Sequence, residues 1–394
     1  QAAVYRSDDG GQNWQVIADG STIRPNAYES ALRAFDIAVH PDDAQRVAIG
    51  SDDTLLGSVD GGTNWEKILG GGEYTGVNEV FMDPRDSNVL YAATHQRFRT
   101  VAALIDGGPE SGIHKSTDGG VTWRELTNGI PGVDKGKIGL AISPVNPDYV
   151  YATIETPQRE VAVWRSTNGG GSWEKGGDRG YPGPGPHDYQ EIFASPPQLD
   201  RIYHMNPRIS ISDDGGKSWR PLGERYKHGD SHAMVFDPKD PHYLLVGSDG
   251  GLYETWDHAK NWKFIANLPV TQFYKVAVDY DEPFYNLVGG TQDNSTQYGP
   301  SLTDNVHVIR NSDWLITIGG DGHQPAIDPT DPNIIYSESQ EGNLARYDRA
   351  SGEEIFIQPQ PEKDEEWDRF NWDSPILISH HDPARLYFAS QRVW

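Results

Sequence analysis

The densest group of chemically capable residues is the phrase His228-Gly229-Asp230-Ser231-His232, which directly precedes the apolar run 234–236. If this phrase is extended, alternation along a strand places His228, Asp230 and His232 on one face. Two imidazoles and a carboxylate suit zinc or a similar cation, so the spacing predicts a metal site. The alternative is that these side chains only hydrogen-bond the entries of strands.

A second polar group follows Gly289-Gly290 at the expected end of a strand. Carboxylates and amides of this kind could bind a sugar, a cationic peptide or calcium through oxygen ligands. A solvated loop cluster is the alternative reading. The expected members are Gln292, Asp293, Asn294, Asp321, His323 and Glu338. Among all carboxylates of the chain, we take Asp230, Asp293 and Asp321 as the catalytic candidates.

Two insertions lengthen the connections between strands, at 106–110 and 181–186. Loops on a rigid scaffold often carry binding specificity. Phe98, Tyr181 and His187 are therefore candidate contact residues, unless these segments are simple linkers.

A phrase of the form Ser-x-Asp-Gly-Gly-x-x-Trp recurs along the chain and sets its architecture. The Ser and Asp side chains can accept backbone N–H bonds across a tight turn, the glycines allow positive φ, and the Trp can return to an apolar layer. Because a catalytic group is not needed six times, we interpret the phrase as structural. Its residues are Ser7, Asp9, Trp14, Ser58, Asp60, Trp65, Ser116, Asp118, Trp123, Ser166, Trp173, Ser212, Asp214, Trp219, Asp257 and Trp262.

A second phrase, an apolar strand that ends in Asp-Pro or Ser-Pro before another apolar strand, occurs in eight versions. The spacing of about 40 to 60 residues is typical of four-stranded blades. The sequence therefore predicts an all-β fold, a β-propeller of about eight four-stranded antiparallel blades, with the turn phrase between third and fourth strands. In one unit the expected strands are 35–39, 46–50, 55–58 and 65–68.

The two ends of the chain occupy the same place in the repeat, since Ala3-Val4-Tyr5 and Arg392-Val393-Trp394 both resemble the start of a third strand. We predict one propeller over 1–394, with a blade closed by 1–18 and 374–394. The alternative is a window of a longer chain.

Net charge is −25, with 33 Lys and Arg against 58 Asp and Glu, and the chain has no cysteine. This charge disfavours nucleic acid and anionic membrane surfaces as partners. No apolar run is long enough to insert into a membrane. Absence of cysteine excludes disulfides and thiolate metal sites.

The turn phrase resembles the Asp-box, or BNR repeat, of sialidases, xyloglucan-active glycoside hydrolases and sortilin-type receptors. The runs 136–144, 228–232, Gln272-Phe273-Tyr274, 289–294 and Asn371-Trp372-Asp373-Ser374-Pro375-Ile376-Leu377 are similar to those of large bacterial sortilin-like proteins often labelled glycosyl hydrolase. The resemblance implies an exported protein in an extracytoplasmic location. Sialidases carry an Arg-Ile-Pro phrase before the first blade, whereas Ile23-Arg24-Pro25 follows the first turn phrase, which disfavours that activity.

Because the strong motifs are structural, we expect an exported, non-enzymatic propeller that binds a protein or peptide partner or serves in an assembly. The alternative is a glycoside hydrolase, or related polysaccharide-active protein, that uses paired carboxylates. A metal-dependent hydrolase built on His228, Asp230 and His232 is the third reading.

Overall fold

Short strands, each paired to the next one along the chain, make up nearly all regular structure in the computed structural model. The structure describes residues 3–19, 34–51, 54–70, 72, 74–99, 103–157, 160–178, 189–268 and 270–394. Short 3₁₀ turns occur at Asn311–Asp313 and Gln340–Gly342. The chain falls into two compact units, Gln1–Phe264 and Ile265–Trp394.

The first unit contains a two-stranded sheet followed by five larger antiparallel sheets. The two-stranded sheet consists of β1 (Ala3–Arg6) and β2 (Gln15–Asp19). The next sheet is β3 (Ala34–Val39), β4 (Val47–Ser51), β5 (Leu55–Ser58) and β6 (Glu66–Leu69). It is followed by β7 (Thr75–Asp83), β8 (Asp86–Arg99), β9 (Leu104–Asp106), β10 (Gly112–Ser116) and β11 (Arg124–Glu125).

Three four-stranded sheets complete the first unit. They are β12 (Ile138–Ile142), β13 (Val150–Thr156), β14 (Glu160–Ser166) and β15 (Glu174–Asp178); then β16 (Ile192–Ala194), β17 (Ile202–His204), β18 (Ser210–Ser212) and β19 (Arg220–Pro221); then β20 (Ser231–Asp237), β21 (Asp240–Ser248), β22 (Gly251–Thr255) and β23 (Lys263–Phe264).

The second unit contains two four-stranded sheets and one two-stranded sheet. They are β24 (Phe273–Val278), β25 (Asn286–Thr291), β26 (Thr296–Pro300) and β27 (Leu315–Ile318); then β28 (Ala326–Ile327), β29 (Ile334–Ser339), β30 (Asn343–Asp348) and β31 (Glu353–Phe356); then β32 (Ile376–Ile378) and β33 (Leu386–Phe388).

This all-β architecture of antiparallel four-stranded blades confirms the predicted β-propeller class. All eight strand–turn–strand phrases form the expected pairs, from β3 with β4 to β32 with β33. The insertion after β8 adds β9 to its sheet, which therefore has five strands. The total number of blades, the single-propeller boundary 1–394 and the closure by 1–18 and 374–394 stay predictions.

Burial follows the position of a strand within its sheet. The second strands are the most buried, because both of their faces pack against neighbouring sheets or strands: β13 is buried from Val150 through Glu155. By contrast, all four side chains of the outermost strand β31 are exposed. The largest fully buried side chains include Tyr91, Tyr151 and Tyr203, which occupy second strands of three sheets.

The Asp-box turns connect third and fourth strands, as predicted. In the turn after β18, the Ser212 hydroxyl accepts the N–H of Gly216 at 2.9 Å, and Asp214 Oδ1 accepts the N–H of Ser218 at 2.9 Å. Hydrogen bonds to Ser218 and Ser212 lower the pKa of Asp214 to about 2, against the opposing effect of partial burial. Side-chain hydrogen bonds, rather than strand pairing, therefore hold the turn together.

Basic side chains also join three of these turns to the preceding sheet. Arg6 Nη1 donates to the carbonyl of Gly61 at 3.1 Å, Arg46 Nη2 to that of Gly119 at 3.4 Å, and Lys115 Nζ to that of Gly169 at 2.7 Å. Arg165 lies beside Gly215 and donates to Asp200. The turns therefore hold one blade to the next as well as closing their own.

The Trp residues of the turns differ in burial more than the sequence indicates. Trp173 is 4% exposed and belongs to the largest apolar core, whereas Trp14 is 63% exposed. The expectation that every such Trp returns to an apolar layer is wrong for Trp14, whose β1–β2 sheet has only two strands.

We predict that Trp173→Ala lowers the free energy of unfolding by about 3 to 5 kcal/mol, because it empties a filled core position. The matched variant Trp14→Ala should cost less than about 1 kcal/mol, since its ring is already in solvent. Urea unfolding followed by circular dichroism measures both. Equal losses in the two variants would contradict this account of the turns.

Candidate functional site

Polar and aromatic side chains gather in the second unit where the first strands of its sheets begin. Tyr274 and Lys275 lie at the start of β24, where the register shifts between Phe273 and Lys275. This β-bulge leaves Tyr274 outside the regular pairing and re-aims the side chains around it. His323 precedes β28, and Asp373 precedes β32.

Glu338, on β29, is the central buried acid of this cluster, with no exposed side chain. Its Oε1 accepts the backbone N–H of Ser374 at 2.6 Å, while the buried Oε2 has no hydrogen-bond partner among the described residues. Burial, and then the charge of Asp373, raise the pKa of Glu338 to about 8, although Lys275 opposes the shift. Glu338 therefore carries a proton at neutral pH.

Asp373 supplies a second carboxylate beside Glu338. Its Oδ2 pairs with Lys275 Nζ at 2.8 Å, and Lys275 also donates to Gln324 Oε1 at 3.3 Å. The other oxygen, Oδ1, is buried and makes no hydrogen bond within the described part of the chain. Asp373 directly precedes Ser374, whose N–H binds Glu338, and its charge acts on the Glu338 carboxyl group.

His323 links the two carboxyl groups to an aromatic wall. Its backbone N–H donates to the carbonyl of Glu338 at 3.0 Å, and its ring stacks on Tyr274 with centroids 5.2 Å apart. Trp372 meets the same ring edge-on at 6.5 Å. The ring is 1% exposed, yet neither nitrogen hydrogen-bonds to a described residue. Burial lowers the pKa of His323, against the effects of Asp373 and Asp321, so the imidazole is neutral at pH 7.

The predicted polar group joins this cluster. Asp321 Oδ1 accepts the backbone N–H of Asp293 at 2.8 Å, and Tyr274 donates its hydroxyl proton to Gln292 Oε1 at 2.6 Å. Asn294 donates to the carbonyl of Gln292 at 2.9 Å. These contacts tie the loop after β25 to the wall of the site. Whether Asp293 or Asp321 has a catalytic role stays a prediction.

The predicted convergence of His228, Asp230 and His232 does not occur. Strand β20 begins only at Ser231, and Asp230 has a left-handed φ of 49°, so the phrase lacks the extended geometry that would align its side chains. Asp230 accepts a hydrogen bond from Tyr189 at 2.5 Å, whereas His232 pairs with Asp249 at 3.2 Å.

No group of three or more His, Asp or Glu side chains is arranged to hold a metal ion in the described ranges. His228 instead faces the carbonyl of Gly229, with its Nδ1 3.2 Å away. Binding of zinc or calcium elsewhere in the protein stays a prediction.

The three predicted loop contacts have different outcomes. Phe98 packs on Tyr74 with ring centroids 4.4 Å apart, near the β8–β9 pair. Tyr181, His187 and the 23–25 phrase lie outside the described residues.

Sequence reasoning missed several members of the site, namely Tyr274, Lys275, Trp372, Asp373 and Ser374. A signal was present, because the phrases 272–274 and 371–377 both support the family resemblance. Neither contains a recognisable spacing of ligands or a catalytic motif. Only the fold brings them next to Glu338.

Comparisons with known proteins relate this chain to Asp-box proteins and to xyloglucanases. Residues 5–16 match the BNR/Asp-box repeat family, which confirms the resemblance of the turn phrase. The chain is 25% identical over 252 residues to the oligoxyloglucan-reducing end-specific xyloglucanase of Emericella nidulans, covering 58% of the chain and 27% of that enzyme. It is 26% identical over 221 residues to xyloglucanase Xgh74A of Acetivibrio thermocellus, covering 48% of the chain and 25% of that enzyme.

Among solved structures, the chain is similar to the GH74 enzyme of Niastella koreensis, with 17% identity and a TM-score of 0.55. The alignment covers 98% of this chain and 64% of that enzyme. This likeness shows the fold. The chain spans about a quarter of the length of the two curated relatives.

The expectation of a non-enzymatic binding module is overturned by these relatives, which are xyloglucanases. The comparisons support the alternative, a glycoside hydrolase. In the described part of the chain, no helix is both long and apolar enough to span a bilayer.

The raised pKa of Glu338 predicts a characteristic pH dependence of stability. Between the ordinary pKa of 4.5 and about 8, the folded state keeps a proton that the unfolded state loses, so the free energy of unfolding falls as pH rises. Glu338→Gln should make this decrease smaller, because the amide still accepts the Ser374 N–H and does not titrate. Melting temperatures at pH 5 and pH 8 measure it.

The matched control is Glu354→Gln on the exposed strand β31, which should keep the wild-type dependence. An unchanged difference between pH 5 and pH 8 in Glu338→Gln would refute the raised pKa.

Proposed function

We propose that this chain belongs to a glycoside hydrolase that cleaves a polysaccharide at the second-unit site, with xyloglucan as the first substrate to test. Glu338 is the proposed general acid and Asp373 the second carboxylate. The single observation that carries this proposal is a fully buried glutamic acid, whose pKa burial raises, close in the fold to an ion-paired carboxylate and an aromatic wall.

Hydrolysis of a glycosidic bond needs a proton donor for the leaving oxygen and a carboxylate for the opposite side of the sugar. Glu338 holds a proton at neutral pH, and its Oε2 has no hydrogen-bond partner among the described residues. Because the side chain is fully buried, proton donation to a leaving group requires that substrate binding expose this oxygen. As the bond between the anomeric carbon and the glycosidic oxygen breaks, the Glu338 proton moves to that oxygen. A water attacks the anomeric carbon and gives its proton to Asp373.

The aromatic side chains give the site a place for sugar rings. Tyr274 is 46% exposed and Trp372 is 52% exposed, although both contact the buried His323. Exposed rings of this kind can stack against the apolar faces of a sugar. The ring nitrogens of His323 have no hydrogen-bond partner among the described residues, and they could bind a hydroxyl group of the same sugar if substrate binding exposes this buried ring.

We further propose that the protein acts outside the cytoplasm, since a polymeric substrate does not cross a membrane. The polysaccharide is then the partner of the site, and the rest of a longer chain would contribute further contacts to it.

We predict that Glu338→Gln and Asp373→Asn each lower kcat on soluble xyloglucan by about 100-fold or more, the usual contribution of a positioned acid or base. The rate of the wild-type protein should fall above pH 8, because Glu338 then loses the proton that it must donate. Release of reducing ends from pH 5 to pH 9 measures both effects.

Glu354→Gln serves again as the control and should keep wild-type activity. A folded chain that releases no reducing ends from xyloglucan or other glucans would contradict the proposal. So would a Glu338→Gln variant that retains wild-type kcat.

A further inference from the structure

The sixth Asp-box turn, Thr255 to Trp262, departs from the other five at the two positions that require a left-handed backbone. The other turns have Gly-Gly there, whereas this one has His258-Ala259. Both residues nevertheless adopt positive φ, 57° for His258 and 66° for Ala259. Side chains with a Cβ rarely tolerate this conformation, so the turn keeps its shape at a conformational cost.

The strained turn borders a concave surface. His258 lines a groove of about 400 Å³ in the first unit. Pro197 and Pro241 form apolar parts of its wall, and the polar lining residues are Gln198, Arg201, His242, Asp257, His258 and Lys260. In the five glycine-containing turns this position has no side chain to offer to such a groove.

The groove presents mainly hydrogen-bond donors. Lys260 is exposed and pairs with no carboxylate of the described residues. Arg201 lines the groove while Asp213 holds its Nε at 2.5 Å. The His242 and His258 rings meet edge to face at 6.4 Å, and the Tyr203 hydroxyl lies 3.4 Å from His258 Nε2.

The one carboxylate in the lining is already satisfied. Asp257 Oδ1 accepts bonds from the Thr255 hydroxyl at 2.8 Å and the Asn261 N–H at 2.9 Å, while Oδ2 accepts the Asn261 amide at 2.6 Å. These bonds, that of the Asn261 side chain first, lower the pKa of Asp257 to about 2. Asp257 therefore has little acceptor capacity left for a ligand, and the remaining charged groups are cationic.

We propose that this groove binds an oxyanion group, a sulfate, phosphate or carboxylate, through His258, His242, Lys260 and Arg201. Such donors form charge-assisted hydrogen bonds with oxyanions. The lining carries two cationic side chains, Arg201 and Lys260, against one carboxylate, Asp257, in a chain of net charge −25. The strained backbone is retained because it projects the imidazole of His258 into the groove.

The test is calorimetric titration of the 394-residue chain with sodium sulfate, sodium phosphate and glucuronate, with glucose as the neutral control. Saturable binding of at least one anion, and none of glucose, is expected. Binding of sulfate or phosphate but not of glucuronate would identify the ligand as a free inorganic anion. Binding of glucuronate would identify it as an acidic sugar.

Two single substitutions in the turn distinguish the effect of the imidazole on anion binding from the effect of backbone strain on stability. His258→Gly should raise the melting temperature and weaken anion binding by about tenfold or more. Ala259→Gly should also raise the melting temperature but leave anion affinity unchanged, since it relieves strain without removing a donor. Lys260→Gln, an exposed change that does not threaten folding, should weaken binding by about tenfold.

The proposal is overturned if no anion binds saturably, or if His258→Gly keeps wild-type affinity. It is also overturned if His258→Gly lowers the melting temperature and Lys260→Gln leaves anion binding unchanged. That result would mean that His258 only fills the place that Arg6, Lys115 and Arg165 fill at other turns.

Discussion

The hydrogen bond from a glycine N–H to the hydroxyl of the Asp-box serine is the interaction on which the architecture depends. It is 2.8 Å at Gly62 and Gly11, and 2.9 Å at Gly120, Gly170 and Gly216. Fourth strands such as β11 and β19 have only two residues, too few to hold a sheet edge by pairing. The turn supplies the hydrogen bonds that the short strand lacks. At Gly61, Gly119 and Gly169 the glycine carbonyl also accepts a basic side chain from the preceding sheet.

All six Asp-box turns lie in the first unit, between residues 7 and 262. In the second unit, polar groups gather at the starts of the first strands. Lys275, His323 and Asp373 come from the starts of three different sheets, and Glu338 reaches them from a second strand. Its chemistry depends on burial: the same glutamic acid in water would be ionised at neutral pH, and only the packed interior keeps its proton.

The fold was predictable because its determinants are local and repeated. The phrase 55–58, followed by a serine-aspartate turn, forms β5 and its box almost as the spacing predicts. Site geometry depends on contacts distant in sequence, and Glu338 and Ser374 are 36 residues apart. For His228, Asp230 and His232, alternation along a strand was the wrong assumption, because the positive φ of Asp230 ends the extended conformation before β20 starts. Asp321 and Asp293 were grouped correctly because both follow the ends of apolar strands.

The bulge at the start of β24 recurs in β3, β7 and β20, between Ala34 and Asp36, Val77 and Glu79, and Ser231 and Ala233. Each bulge inserts one residue before the apolar part of the strand and leaves the pairing beyond it in register. Where the bulged side chain is exposed, as at Tyr274, a substitution changes the surface chemistry above an unchanged core. Where it is buried, as at Asn78, its amide donates to the carbonyl of Ile138 at 2.8 Å and joins two sheets. The same backbone feature therefore serves recognition in one sheet and cohesion in another.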